Sequence, residues 1–192
     1  RTGESGMASR WVVIHPGSGG YSLARRWDPE QFAAVADALV ETYGARVVLV
    51  GTLSDGVERV SAAMRHLPAL DLGGRTSLGQ LAAIFRRCTA FIGADSGVMH
   101  LAAAAGIRVI ALYGPSNHQA WGPWTEAGRS FIVRTGLVCS PCSYVGHSVG
   151  LRDGCALRTC MADITAEMVL HAFHRLTSQS QTGLPVAQGS PL

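Results

Sequence analysis

The stretch "AFIGADSGVMHLAAAAGIRVIALYG", residues 90–114, decides the fold. "AFIGA" (90–94) reads as a strand whose apolar run, Phe91–Ile92, breaks at Gly93, and Asp95, Ser96 and Gly97 follow. A helix-forming run, "GVMHLAAAAG", follows and is closed by Gly106, a residue type that readily ends a helix in the left-handed conformation. A second β-rich run, "RVIALYG" (108–114), comes directly after it. Apolar runs of strand length joined through a helix predict a parallel β-α-β unit.

The same alternation extends in both directions. "WVVIH" (11–15), "RVVLV" (46–50), "ALDL" (69–72) and "SFIVR" (130–134) read as strands. "PEQFAAVADALVETY" (29–43) carries apolar residues at 32, 35, 36, 39 and 40, one face of a helix. Asp28 is its expected cap, with Pro29 at the first position, Gln31 three residues after the cap and Gly44 as the stop. Further helices are expected over about 55–66, over "TSLGQLAAIFRR" (76–87) with Ser77 and Gln80 as a capping box, and over about 165–176. Strands buried on both faces and alternating with helices predict an α/β fold, a Rossmann-like, doubly wound parallel sheet. Right-handed crossovers gather all strand C-termini on one edge, where such sheets bind their ligands.

The bulk composition fits one globular domain. The chain has 192 residues, 47% hydrophobic and 15% charged. The domain is expected over 11–176, with a Cys-rich loop at 136–160, a linker at 1–10 and a polar, disordered tail at 177–192. A net charge of +3 gives no case for a nucleic-acid partner. No run approaches the roughly 18 apolar residues of a membrane span. The opening "RTGESGMASR" is too polar for a signal peptide, so a cytoplasmic location is expected. All 16 basic residues are arginine.

Three loops should open on the ligand edge. "HPGSGG" (15–20) has glycines at 17, 19 and 20 that allow close backbone approach, and Arg25, Arg26 and Trp27 follow it. The adjacent arginines could clamp a diphosphate or stand solvated. "GTLSDG" (51–56) carries Asp55, either an acid for a ribose hydroxyl pair or the cap of the next helix. The third loop is Asp95-Ser96-Gly97. A helix N-terminus leaves N–H groups unpaired and carries partial positive charge, which suits an anion. Asp95 or Ser96 would cap that helix, and Gly97 offers an unobstructed N–H. His100 projects from the same face of the first turn, as a neutral hydrogen-bonding residue or a phosphate partner.

"IHPGSGG" (14–20), "RRWDPEQFAAVADAL" (25–39), "DLGGRTSLGQLAAIFRRCTAFIGADSGVMHLAAAAGIRVIALYGP" (71–115) and "WGPW" (121–124) together resemble the ADP-heptose:lipopolysaccharide heptosyltransferase family, glycosyltransferase family 9. The resemblance spans roughly residues 11–175 and implies the C-terminal, donor-binding lobe of a two-lobed GT-B glycosyltransferase. The family's catalytic base is an acid of the N-terminal lobe with no counterpart here, so the chain is expected to bind donor and not to turn over alone. By this resemblance Gly17 and Ser18 contact phosphate, Asp55 takes the ribose-contacting position and Thr76 lies by the base. Asp95 meets donor sugar hydroxyls, and Ser96 and Gly97 hold the diphosphate beside His100. Arg25 stands where many members carry lysine, which replaces a point charge by a planar fork.

The implied reaction is inverting transfer from an ADP-heptose-type donor to a lipid-linked glycan of lipopolysaccharide or another envelope polymer. The acceptor would bind through the other lobe, at the inner face of the cell membrane. No cofactor is required if arginines and helix N–H groups stabilise the departing diphosphate. A UDP- or GDP-sugar donor, an epimerase, and a non-catalytic nucleotide-binding module stay open as alternatives. Cys139, Cys142, Cys155 and Cys160 are spaced so that a structural zinc, and with it a zinc-stabilised module, is a further expectation; reduced thiols or a disulfide are the alternatives. Cys88, at a helix end, is expected to be a packing residue.

Overall fold

The computed structural model describes residues 10–20, 22–142 and 154–178. The expected linker up to residue 9, the expected tail from 179 and the middle of the Cys-rich loop, 143–153, lie outside the described residues. The strands are β1 (Trp11–His15), β2 (Arg46–Leu49), β3 (Leu70–Asp71), β4 (Ala90–Ala94), β5 (Arg108–Leu112) and β6 (Ser130–Val133). They form one sheet in the order β3-β2-β1-β4-β5-β6, every pair parallel. The helices are α1 (Pro29–Tyr43), α2 (Val57–Ala63), α3 (Leu78–Phe85), α4 (Gly97–Ala104), α5 (His118–Trp121), α6 (Thr159–Ala162) and α7 (Ala166–Ser178).

The apolar strands are apolar because both faces are covered. Val12 and Ile14 of β1 pack with Phe32, Leu39 and Phe173 under α1 and α7. Val13, between them, faces the other way and joins Phe85, Phe91 and Met99 under α3 and α4. Period-two alternation therefore feeds two cores from one strand. The doubly wound sheet expected from sequence is the one observed.

The order also creates a switch point. From β1 the chain builds outward to β2 and β3, then returns to place β4 on the other side of β1. In parallel sheets of this kind the segments leaving the two strands at such a point diverge, and ligands bind at that carboxyl edge.

Local signals mostly act as expected. The Asp28 carboxylate accepts from Glu30 N at 2.9 Å and caps α1. Ser77 and Gln80 form the reciprocal capping box, at 3.3 and 2.8 Å. Gln31 does not complete a box with Asp28; its Oε1 accepts from Ala166 N at 3.1 Å and ties α1 to α7. The helix expected over 55–66 is shorter. A turn of 3-10 helix covers Leu53–Asp55, Gly56 sits at φ 79°, and α2 ends at Ala63. The buried Asp37 carboxylate of α1 accepts from Arg65 N and His66 N, each at 3.0 Å, which ends α2 by capturing the backbone beyond it. Helix α7 runs through Ser178, into the start of the stretch expected to be tail.

Candidate functional site

The segment after β1 is held from below. The Trp27 indole is buried, donates to Ile164 O at 2.9 Å and meets Phe32 edge-on at 4.8 Å. That anchor fixes the chain just beyond Arg25 and Arg26. The Ser18 hydroxyl donates to Ser22 O at 2.8 Å and folds the glycine loop back on itself.

Arg25 and Arg26 do not form one clamp. Arg25 Nη1 donates to Asp95 Oδ2 at 3.0 Å and Nη2 donates to Ser18 O at 3.1 Å. Arg26 Nη2 instead faces Asp55 Oδ1 at 3.7 Å. Adjacent guanidiniums thus reach acids on either side of β1, one at the exit of β4 and the other at the exit of β2. A shared diphosphate fork is not the geometry observed.

Asp55 is buried and occupied. Its Oδ2 accepts from Thr52 N and from the Thr52 hydroxyl, each at 2.7 Å, and stands 3.7 Å from His15 Nε2. The His15 imidazole first, then the Thr52 donors, hold this carboxyl well below the usual carboxylate range, against the upward push of burial. Asp55 does not cap α2; Gly56 occupies that position, and Asp55 turns back to close a capping box on Thr52. The carboxylate also fills the space beside Gly17, where an added Cβ would lie 2.0 Å from Oδ1. Gly17 is therefore glycine for the sake of Asp55.

The third loop separates its own capping roles. The Ser96 hydroxyl accepts from Met99 N at 3.2 Å and is the cap of α4. Asp95, freed from capping, turns to Arg25. Gly97 is exposed, and an added Cβ there would meet nothing within 4 Å among the described residues. No packing among the described residues demands glycine at this position, unlike Gly17. Asp95, Ser96 and Ser18 are all buried.

The structure thus links Gly17, Ser18, Arg25, Asp55 and Asp95 around the β1 exit, with Ser96 and Gly97 continuing from Asp95. His100 is half-buried in the first turn of α4, and among the described residues its imidazole makes no hydrogen bond or ion pair. Thr76 is half-buried on the same sheet edge, between β3 and α3, outside this network. Sequence reasoning gave no role to His15 and Thr52. The Thr52-x-x-Asp55 spacing was the available signal, since it is the pattern of a capping box.

The Cys-rich segment packs beside the β5 exit. Cys142 N donates to Pro115 O at 2.9 Å, and a Cβ on Gly114 would lie 3.1 Å from Cys160 Sγ. Burial, then the neighbouring cysteines, push the Cys142 and Cys160 thiols up. The thiols are near enough to feel one another. Among the described residues, however, no three of His, Cys, Asp and Glu are arranged to hold a metal ion. The described thiol positions therefore do not form a zinc site as they stand. Cys88 is half-buried, packs against the α3–α4 core and has its thiol pushed up to about 11 by burial.

Comparison with known proteins gives the family. Residues 4–150 match the family model described as glycosyltransferase family 9 (heptosyltransferase). The chain is 35% identical over 125 residues to lipopolysaccharide heptosyltransferase 3 of Escherichia coli K12, covering 63% of this chain and 36% of that protein. It is 31% identical over 169 residues to lipooligosaccharide heptosyltransferase 2 of Haemophilus influenzae, covering 83% and 45%. The solved structure of E. coli ADP-heptose lps heptosyltransferase II superposes with a TM-score of 0.72 at 25% identity, covering 92% of this chain and 49% of that one. The chain spans less than half of each of these relatives. With a parallel sheet that reverses its strand order at β1, the Asp95-Ser96-Gly97 entry to α4 and a family match over most of its length, this chain belongs to glycosyltransferase family 9, the heptosyltransferases.

Proposed function

We propose that this chain is the donor-binding half of an inverting glycosyltransferase that takes an ADP-heptose-type sugar nucleotide. The observation that carries the reading is the start of α4. Ser96 caps the helix, Gly97 is exposed with open space among the described residues where a side chain would be, and Asp95 and Arg25 pair beside it. The diphosphate would lie along the Gly97 end of α4 and the Ser18 loop, where N–H groups and the helix dipole favour negative charge. Arg25 supplies a full positive charge at the point where the leaving diphosphate gains charge, and Asp95 accepts hydrogen bonds from sugar hydroxyls. His100 would approach the same phosphates, Asp55 the ribose and Thr76 the base.

The acceptor would be a lipid-linked glycan held by a second lobe, which would also supply the catalytic base. Among the described residues no helix is long and apolar enough to cross a membrane. Work in the cytoplasm at the inner membrane face is part of this proposal. The four clustered cysteines would fit a structural zinc only after rearrangement of their loop. Metal analysis of protein purified without chelator decides that point, with one zinc per chain expected for a site and none for free thiols.

Calorimetric titration with ADP, UDP and GDP tests the donor reading. ADP is expected to bind at least tenfold tighter than the other two. Preference for UDP or GDP would support a different sugar nucleotide, and no binding of any would remove the nucleotide reading.

A further inference from the structure

A cleft of about 450 Å³ opens on the far side of the β1 exit from Asp95. Arg26, Arg59 and Arg158 line it, together with Asp28, Gln31 and Asp55. These arginines come from distant parts of the chain: the segment before α1, the first turn of α2, and the residue before α6. Arg59 is exposed, and among the described residues its guanidinium has no ion pair. Arg158 sits at φ 45°, a left-handed conformation unusual for arginine, with Nη1 donating to Leu23 O at 3.5 Å. Asp28 accepts from Glu30 N, and Asp55 accepts from Thr52 and faces Arg26 Nη2 at 3.7 Å, so the three guanidiniums exceed the two carboxylates of the cleft by one charge. The start of α1 borders the cleft through Asp28, Pro29 and Gln31.

We infer that this cleft is a second anion site, distinct from the donor site, for a phosphate monoester carried on a sugar. Planar guanidinium forks match phosphate oxygens, and arginines converging on one cleft give a charge that a neutral ligand would leave unmatched. The volume lies in the range of small-molecule pockets and exceeds what bare phosphate fills. Gln31 spends its Oε1 on Ala166 N, so its amide N–H groups are left to meet a hydroxyl. The inference does not rest on the donor reading, because its residues, apart from Asp55, are not donor-site residues.

The test is a titration of the chain with glucose 6-phosphate and, separately, inorganic phosphate, each with and without saturating ADP. The expected result is one glucose 6-phosphate bound alongside ADP, at least fivefold tighter than inorganic phosphate. Arg59→Gln and Arg158→Gln should each weaken it tenfold or more while ADP affinity stays within twofold. Thermal melts of both variants check folding, and Arg59→Lys should recover part of the binding. Competition between glucose 6-phosphate and ADP, or absence of binding, overturns the second site. Equal affinity for inorganic phosphate overturns the sugar component. Failure of ADP itself to bind, with glucose 6-phosphate still held, would refute the donor reading and leave this one standing.

Discussion

Arg25 Nη1 stands 3.0 Å from Asp95 Oδ2, across 70 residues of chain, and both side chains are largely buried. This contact ties the loop after β1 to the loop after β4 across the switch point. The acid proposed to meet sugar hydroxyls is charge-paired with the cation proposed to meet the leaving group. Removing the cation strands a buried carboxylate, the expensive half of such a change. Arg25→Ala is expected to cost about 3 kcal/mol in chemical denaturation. Arg25→Lys keeps the charge but loses the bond to Ser18 O, and should cost about 1 kcal/mol.

Gly17 and Gly97 are glycines for different reasons, and alanine separates them. At Gly17 the new Cβ would lie 2.0 Å from Asp55 Oδ1, so Gly17→Ala should destabilise by about 2 kcal/mol. At Gly97 the Cβ meets nothing among the described residues, and alanine favours the helix. Gly97→Ala should leave thermal stability equal or slightly raised yet weaken ADP binding tenfold or more. Unchanged ADP affinity in that variant would mean that no phosphate approaches this amide.

Asp55 sets a pH dependence on the acid side. Its folded-state carboxyl titrates below its unfolded value, so its contribution is complete above that value, near pH 4, and fades as pH falls further. Asp55→Asn should cost about 2 kcal/mol at pH 7 through weaker bonds with Thr52 and loss of the charge that faces His15. The gap between wild type and variant should narrow below about pH 4. Urea melts at a series of pH values measure it, and a gap independent of pH would refute the charged network.

The sheet was legible because its strands are apolar on both faces and its helices carry their own caps, as at Asp28, Ser77 and Ser96. The position of the site was legible for the same reason, since strand order places every loop of interest on one edge. What the sequence did not show was the direction of individual side chains. Arg25 and Arg26 are neighbours in sequence, yet they part because acids from two different strands flank β1. The end of α2 was hidden because the group that stops it, Asp37, belongs to another helix. Helix α6 follows an arginine at positive φ and has no local capping signal. Helix α5 did have one, in Asn117, whose Oδ1 accepts from Gln119 N and Ala120 N at 3.0 and 3.3 Å.

A crystal structure of this chain soaked with ADP locates the phosphates. The diphosphate is expected within hydrogen-bond distance of Gly97 N, between the Ser18 loop and the first turn of α4, with Arg25 swung or shared toward it. A diphosphate lodged instead among Arg26, Arg59 and Arg158, with the Gly97 amide still facing solvent, would contradict this placement.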